Sequence, residues 1–266
     1  MVLRSPAVLA VALTLCGVPA AATAQAAPAA PAAHAATRPP PFTPGEQIDL
    51  SIDYHHVRTA HAQLLVGRPA GAVWPVICQA KTEGIATLLD IREHFVSYWD
   101  SETQSSRGSD LNAVEVGDRH TDRARFDRAN GKAVVQVLRH GKANERTHDV
   151  PADVQDLASA LLALRLKDLS PGAVFEFPVF SGSTTFTLHA EVEGDETLTT
   201  PAGRFDTARV KVRLGFTDKF KTSRDSYVWL SKDDRHVPVR MAADFAVGTV
   251  TATLTGYRPG GQVAAR

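Results

Sequence analysis

Alternation of polar and apolar residues in many short runs is the feature that most constrains the fold of this chain. Between residues 47 and 54, Ile48, Leu50, Ile52 and Tyr54 alternate with polar residues. A period of two predicts a β-strand with one buried and one solvated face. The same alternation recurs in five further runs, at residues 174–177, 185–189, 208–214, 227–230 and 249–254.

Turn-forming residues separate these runs. Gly, Pro, Asn, Asp and Ser are concentrated at residues 128–131, 140–142, 181–183, 201–203 and 232–235. Many short strands joined by close turns predict a mainly β fold, in which an antiparallel meander forms a barrel, a half-barrel or a sandwich.

One segment has a different period. Between Asp153 and Leu169 the apolar residues recur at steps of three and four, Asp153 is a candidate N-cap, and the run 170–172 ends the segment. This pattern predicts one amphipathic helix near 153–169, which divides the strands into an N-terminal and a C-terminal set. The helix is either a plug over one open end or face of the sheet, or a lid that moves for a ligand. The plug is the simpler role because it needs no ligand. A second, short helical turn is expected at residues 85–91.

The N-terminus predicts export. Residues 1–24 have the pattern of a signal peptide, with one basic residue followed by an apolar run of about a dozen residues. As a helix that run would span only ~18 Å, which is too short for a ~30 Å hydrocarbon core. We therefore expect a periplasmic protein with no transmembrane anchor after cleavage.

The small residues of Ala22-Thr23-Ala24 place the expected cleavage between Ala24 and Gln25. Residues 20–22 form a second candidate cleavage site. A lipoprotein attached through Cys16 is the competing interpretation, and the large residue before that cysteine, Leu15, argues against it.

Composition divides the remaining chain into three parts. Residues 25–41 are almost wholly Ala and Pro, which predicts an extended linker that cannot build a core. Residues 42–257 form a single β-rich domain. Residues 258–266, which include Pro259 and two glycines, form a flexible tail.

Charge and cysteine content exclude several classes of protein. The chain has 29 basic and 29 acidic residues, so there is no electrostatic reason to expect a nucleic acid as partner. Signal cleavage would remove Cys16 and leave only Cys78, so an internal disulfide is excluded. Cys78 follows an apolar run and is expected to be a small buried hydrophobe.

The search for catalytic chemistry finds no specific motif. His55, His56 and His61 are close in sequence, but their spacing on a strand favours solvated or hairpin-end histidines over a metal site. Asp118, His120 and Asp122 alternate with arginines, which predicts a solvated strand with cross-strand ion pairs. We therefore predict no catalytic residues, no metal ligands and no cofactor.

The three tryptophans stand in separate strand-like runs. Trp74, Trp99 and Trp229 are expected to pack in the core, with the wall of an apolar pocket as the functional alternative.

Three sequence elements carry a resemblance to a known family. They are Phe42-Thr43-Pro44-Gly45-Glu46 with its following strand, the stretch from Gly194 to Val210, and the stretch from Val228 to Val250. In combination they resemble the bacterial domain of unknown function 3108 (DUF3108) family. The resemblance implies an exported, β-rich envelope protein and brings no catalytic residues with it. Structural roles are expected for the matching residues Gly45, Glu46, Tyr54, Pro201, Gly203, Phe205, Trp229 and Pro238.

Two function classes remain open at this point. One is a periplasmic binding or carrier module that holds an apolar, lipid-like small molecule. The other is a structural or assembly protein of the cell envelope, which has a filled core and contacts envelope proteins through its surface. An enzyme is the third class, and no constellation of residues supports it.

Overall fold

The computed structural model describes residues 40–214, 226–245 and 248–261. The predicted signal peptide, the cleavage site at Ala24 and Gln25, most of the linker and the end of the tail lie outside the described residues. Within the described ranges, no helix is long and apolar enough to cross a membrane.

Strands dominate the described chain, as the alternation predicts. A 3₁₀ helix, Gly84–Leu89, lies at the position of the expected helical turn. The strands are β1 (Gln47–Tyr54), β2 (Val57–Val66), β3 (Val73–Thr82), β4 (Arg92–Asp100), β5 (Ser105–Glu115), β6 (Asp118–Asp127), β7 (Lys132–Arg139), β8 (Lys142–Asp149), β9 (Val174–Phe180), β10 (Thr185–Thr200), β11 (Gly203–Leu214), β12 (Ser226–Ser231), β13 (Pro238–Phe245) and β14 (Gly248–Arg258), and the helix α1 (Leu157–Arg165) separates β8 from β9.

All fourteen strands form one antiparallel sheet. Its order is β8-β7-β6-β5-β4-β3-β2-β1-β14-β13-β12-β11-β10-β9, so each half of the chain is a meander and the two halves join where β1 pairs with β14. The two edge strands, β8 and β9, do not pair with each other, so the sheet is not a closed barrel. The prediction of a mainly β antiparallel meander is confirmed.

The helix is shorter than predicted. It begins at Leu157 instead of near Asp153, and it ends at Arg165 instead of near Leu169. The first residues of the predicted helix are extended because Gln155 pairs with β9: its N–H donates to the Pro178 carbonyl (2.8 Å), and its carbonyl accepts from the Phe180 N–H (2.8 Å). Asp156, not Asp153, is the N-cap.

The same extended segment covers the edge of β9. On its other side, the Val154 carbonyl accepts a hydrogen bond from the Ser106 N–H of β5 (3.3 Å). Residues 154 and 155 therefore lie between β9 and β5. An unpaired strand edge is a template for aggregation, and this segment covers part of that edge within the molecule.

The interior contains α1. Seven of its nine residues are buried, so the predicted apolar stripe is instead a helix surrounded by protein. Ala158 and Leu162 pack against a core cluster built mainly from β1 to β4 and β14, whereas Ala160, Ala163 and Leu164 pack against a second cluster from β9 to β12. The helix thus lies between the two halves of the sheet.

Two of the three tryptophans, which stand in separate strands, contact each other in the core. The ring centroids of Trp74 and Trp99 are 5.5 Å apart, and Phe42 contacts both rings edge-on. Sheet pairing brings the two together, because Trp74 of β3 lies opposite Trp99 of β4. Trp99 is fully buried, as expected for a core residue.

Candidate functional site

A buried ion pair holds the C-terminal end of α1. Arg165 donates through Nη1 and Nη2 to the two carboxylate oxygens of Glu46, both at 2.8 Å, and neither side chain is more than 1% exposed. The Tyr257 hydroxyl donates to the same carboxylate (3.0 Å), and burial raises the pKa of Tyr257 to about 12. The remaining guanidinium donors reach the carbonyls of Arg235 and His236. Each nitrogen of the guanidinium and each oxygen of the carboxylate is therefore hydrogen-bonded within the protein, and both side chains are buried away from any ligand.

A second buried polar group holds the other end of α1. One oxygen of Asp156, Oδ2, accepts from the hydroxyls of Ser97 and Ser106, each at 2.6 Å. Its Oδ1 accepts from the Ser159 N–H (2.9 Å), and the Ser159 hydroxyl accepts from the Asp156 N–H (2.9 Å), which completes a capping box. Burial raises the pKa of the Asp156 carboxyl despite these bonds.

Cys78 is an unreactive core thiol. It is buried beside this group, and burial, followed by the charge of Asp156, raises the pKa of Cys78 to about 12. At that pKa the thiolate, which is the nucleophilic form, is scarce at neutral pH. The sequence interpretation of this residue as a small hydrophobe fits its position.

Titratable side chains gather at the end of the sheet where β4 begins. Glu93 is buried, and burial, followed by the charge of Glu115, raises its pKa to about 7. His120 is also buried and contacts Arg139 (Nδ1 to Nη2, 3.2 Å). Asp122 is partly buried, and burial raises its pKa. The prediction of a solvated strand at Asp118, His120 and Asp122 is wrong in its exposure, because these three residues alternate toward the inner face. The predicted cross-strand ion pair is present at Asp118, which contacts Arg139 of β7 (3.3 Å).

This cluster does not form a metal site. Among the described residues no group of three His, Cys, Asp or Glu side chains is arranged to hold a metal ion. His55 and His56 occupy a tight turn with positive φ, and His61 contacts Glu83 (3.3 Å), so the three neighbouring histidines lie at and near a hairpin end.

An open groove of about 680 Å³ crosses the outer face of β1 to β6, the face that points away from α1. Two parallel rows of side chains form its walls. Cross-strand pairing places the members of each row side by side. The first row is Asp49, Gln63, Gln79, His94, Asn112 and Thr121, and the second is His61, Lys81, Arg92, Val114 and Arg119.

The groove lies on the outer face because of strand alternation. Between the two rows, each strand contributes one residue whose side chain points inward, such as Ala62, Ala80 and Ala113, and these are buried. Such residues can present only their backbone to the groove. The floor is therefore backbone, and the walls are polar and basic side chains.

The two walls differ in charge. The first wall consists mainly of amide, imidazole and hydroxyl groups, with one carboxylate at its end, Asp49, which accepts from Gln47 and Gln63. The second wall is basic. Two of its members have carboxylate partners at the surface: Arg92 with Asp90 (2.9 Å) and His61 with Glu83. Within the described chain, Lys81 and Arg119 have no ion-pair partner.

The residues of the family resemblance lie in the fold and away from the groove walls. Gly45 has φ +91° and donates its N–H to the Val66 carbonyl. Gly203, the first residue of β11, has φ +130° and follows a turn that contains the exposed Pro201. Trp229 is 8% exposed and donates to Glu196 (2.7 Å). Tyr54 ends β1, Phe205 packs against two core clusters, and Pro238 begins β13. The structural roles assigned to these residues stay a prediction.

Sequence reasoning missed Arg165, Asp156 and the groove. A charged residue within the apolar run of a predicted helix was a signal for Arg165. The groove had no such signal, because its rows depend on the register of six strands.

Comparison with known proteins identifies a family and a fold. The profile of the family described as "Protein of unknown function (DUF3108)" matches residues 49–255. No curated protein matches the chain. A β-barrel-like protein of domain of unknown function DUF1849 from Brucella abortus is similar in structure, with a TM-score of 0.56 and 10% identity over 81% of this chain and 97% of that chain. The likeness shows a shared fold.

Two further solved structures match at lower TM-scores. One is a hypothetical protein from Chlamydia trachomatis, with a TM-score of 0.36 and 10% identity over 85% of this chain and 93% of that chain. The other is described as a proposed exported protein with a YmcC-like fold from Bacteroides fragilis, with a TM-score of 0.33 and 10% identity over 82% of this chain and 97% of that chain.

Proposed function

This chain belongs to the DUF3108 family, and we propose that it is an exported protein of the cell envelope that acts through its outer surface. Its export to the periplasm is proposed from the signal-peptide pattern of residues 1–24. The observation that supports action through the outer surface is the position of α1. A helix that is buried between the two halves of the sheet occupies the space in which a carrier would hold its cargo.

The two ends of α1 support this role as a plug. Leaving the interior would expose Leu162 and would break the contacts of Arg165 and Asp156, all of which are buried. Separating a buried ion pair costs several kcal/mol, and a domain has only about 5–15 kcal/mol of stability. A lid that opens for a ligand needs a weaker attachment than this.

The apolar carrier remains the second candidate function, and one observation favours it: the sheet is open between β8 and β9. An apolar ligand could enter there only by separating the two halves of the sheet. Burial of an eight-methylene stretch would contribute about 6 kcal/mol before ordering costs.

Native mass spectrometry of the protein from a periplasmic extract, with displacement of a fluorescent fatty acid, tests the proposal. We expect the mass of a polypeptide that begins at Gln25, with no lipid bound to it. We also expect no saturable displacement of the fluorescent fatty acid when this probe is used at micromolar concentration. A stoichiometric lipid would contradict the filled interior. Lipid-modified Cys16 would contradict the proposed cleavage.

A further inference from the structure

We propose that the outer groove of β1 to β6 binds an extended, anionic polysaccharide chain. The inference deepens the proposed function and rests on its claim that the protein acts through its outer surface. The shape of the groove is the first argument. Strands lie about 4.8 Å apart and alternate residues about 7 Å apart, so six strands give a track roughly 24 Å long and one chain wide.

Charge is the second argument. The basic wall presents Lys81 and Arg119 without ion-pair partners among the described residues, together with Arg92 and His61. Arg123 and Arg125 extend the positive charge along the same face of β6, where Arg125 is paired with Asp110 (2.6 Å). Because the whole chain is neutral, this is a local concentration of positive charge, which attracts anionic groups such as carboxylate or phosphate.

The first wall, which is neutral apart from Asp49 and is called the neutral wall below, favours one kind of polymer chain. Gln63, Gln79 and Asn112 offer both hydrogen-bond donors and acceptors, which suit a ligand with many hydroxyl groups. Among the residues that the structure describes, no Phe, Tyr or Trp lines the groove, whereas single-stranded nucleic acids are bound by stacking on aromatic side chains. A peptide that adds a strand would need a sheet edge, and the groove lies on a sheet face.

A pair of matched double variants tests the proposal in the full-length mature protein. Lys81→Gln/Arg119→Gln removes two unpaired charges from the groove. Lys142→Gln/Arg146→Gln removes two charges from β8, outside the groove, where both side chains are exposed. Circular dichroism confirms that each variant is folded. The probe is a fluorescein-labelled oligogalacturonate, measured by fluorescence anisotropy at two salt concentrations.

We expect saturable binding that weakens with salt, a loss of at least tenfold in the groove variant and a change of less than twofold in the β8 variant. Equal affinity of the two variants would overturn the proposal. A third variant, Gln79→Ala/Asn112→Ala, should weaken binding while the slope with salt stays the same, because it removes hydrogen bonds and no charge. An unchanged affinity in this variant would overturn the role of the neutral wall.

Further probes separate the sources of the anionic group. Competition between a phosphomannan chain and oligogalacturonate would support a groove that recognises anionic groups along a polysaccharide, whether they are phosphates or carboxylates. Inorganic phosphate that competes as well as either chain would overturn the proposal, because the chain would then be unnecessary. Vesicles containing phosphatidylglycerol should not compete. Competition by vesicles that is lost in Ile85→Ser/Leu88→Ser, two exposed apolar residues beyond the groove, would instead assign the surface to a membrane. The lipid measurements on the interior are independent of all these results.

Discussion

Two arginines of this protein, Arg165 inside the sheet and Arg119 on its outer face, have the same chemistry in opposite environments. Arg165 is fully buried, and carbonyl and carboxylate oxygens occupy its donors. Arg119 is exposed and has no ion-pair partner among the described residues. The difference teaches that a buried charge specifies where α1 lies, whereas an unpaired surface charge remains available to a ligand.

Substitution by methionine gives the largest expected effect and tests this comparison directly. Arg165→Met leaves Glu46 buried without its cation, which should lower the free energy of unfolding by about 3–5 kcal/mol. Arg119→Met is the matched control and should change it by less than about 0.5 kcal/mol. Urea unfolding measures both values. Equal effects of the two substitutions would break the comparison.

The double variant Glu46→Leu/Arg165→Met sharpens the same test. Removing both charges leaves no unpaired ion, so the double variant should be more stable than Arg165→Met alone. A double variant that loses the sum of the two single effects would mean that the two residues act independently.

The sequence predicts structural features that depend on neighbouring residues better than contacts between residues that are far apart along the chain. Alternation within one run predicted each strand, because side-chain direction is a local property. The pairing of Glu46 with Arg165 joins residues 119 positions apart, so no local pattern contains it. The start of α1 was misplaced for a similar reason: Asp153 and Asp156 are both acceptable caps, and contacts with β9, β4 and β5 select the second.

The groove is even harder to predict from the sequence, because its residues come from several strands. Lys81, Arg92 and Arg119 are scattered in sequence and become a row only through the register of four strands. The resemblance to DUF3108 included Glu46 but gave it only a structural role. Of the two groove rows it covered only Asp49, which lies in the strand after Glu46, and none of the basic residues.

A further prediction concerns Glu93, whose charged form is disfavoured in the folded protein because the side chain is buried. Its pKa is raised from 4.5 to about 7, so the folded state holds a proton that the unfolded state releases. The stability from this group is therefore fully present below about pH 4.5 and is lost as pH rises to 7. At about 1.4 kcal/mol per pKa unit, the loss is roughly 3 kcal/mol.

Glu93→Gln should remove this pH dependence. Between pH 4.5 and 7, the stability of the variant should rise relative to the wild type by up to that amount, measured by urea unfolding at each pH. Glu145→Gln, an exposed glutamate of β8, is the control. Parallel pH profiles for the wild type and Glu93→Gln would show that Glu93 is charged in the fold.

The smallest expected effect is at the surface, in the turn between β5 and β6. Val116 has φ +51° and is 72% exposed, and Gly117 follows with φ +82°. A β-branched residue is strained in this left-handed conformation, whereas Asn tolerates it. Val116→Asn should therefore raise the free energy of unfolding by about 1 kcal/mol. Val57→Asn, at an exposed strand position, should not stabilise the protein, and equal gains in both would exclude relief of strain.

Native-state hydrogen exchange of the α1 amides tests the filled interior most directly. If α1 is a plug, the amides of Ala160 to Arg165 should exchange only by global unfolding, with the same free energy as the buried amides of β1 and β14 and the same dependence on denaturant. Exchange of α1 through a separate opening of lower free energy, while β1 and β14 stay protected, would contradict the account and identify α1 as a lid.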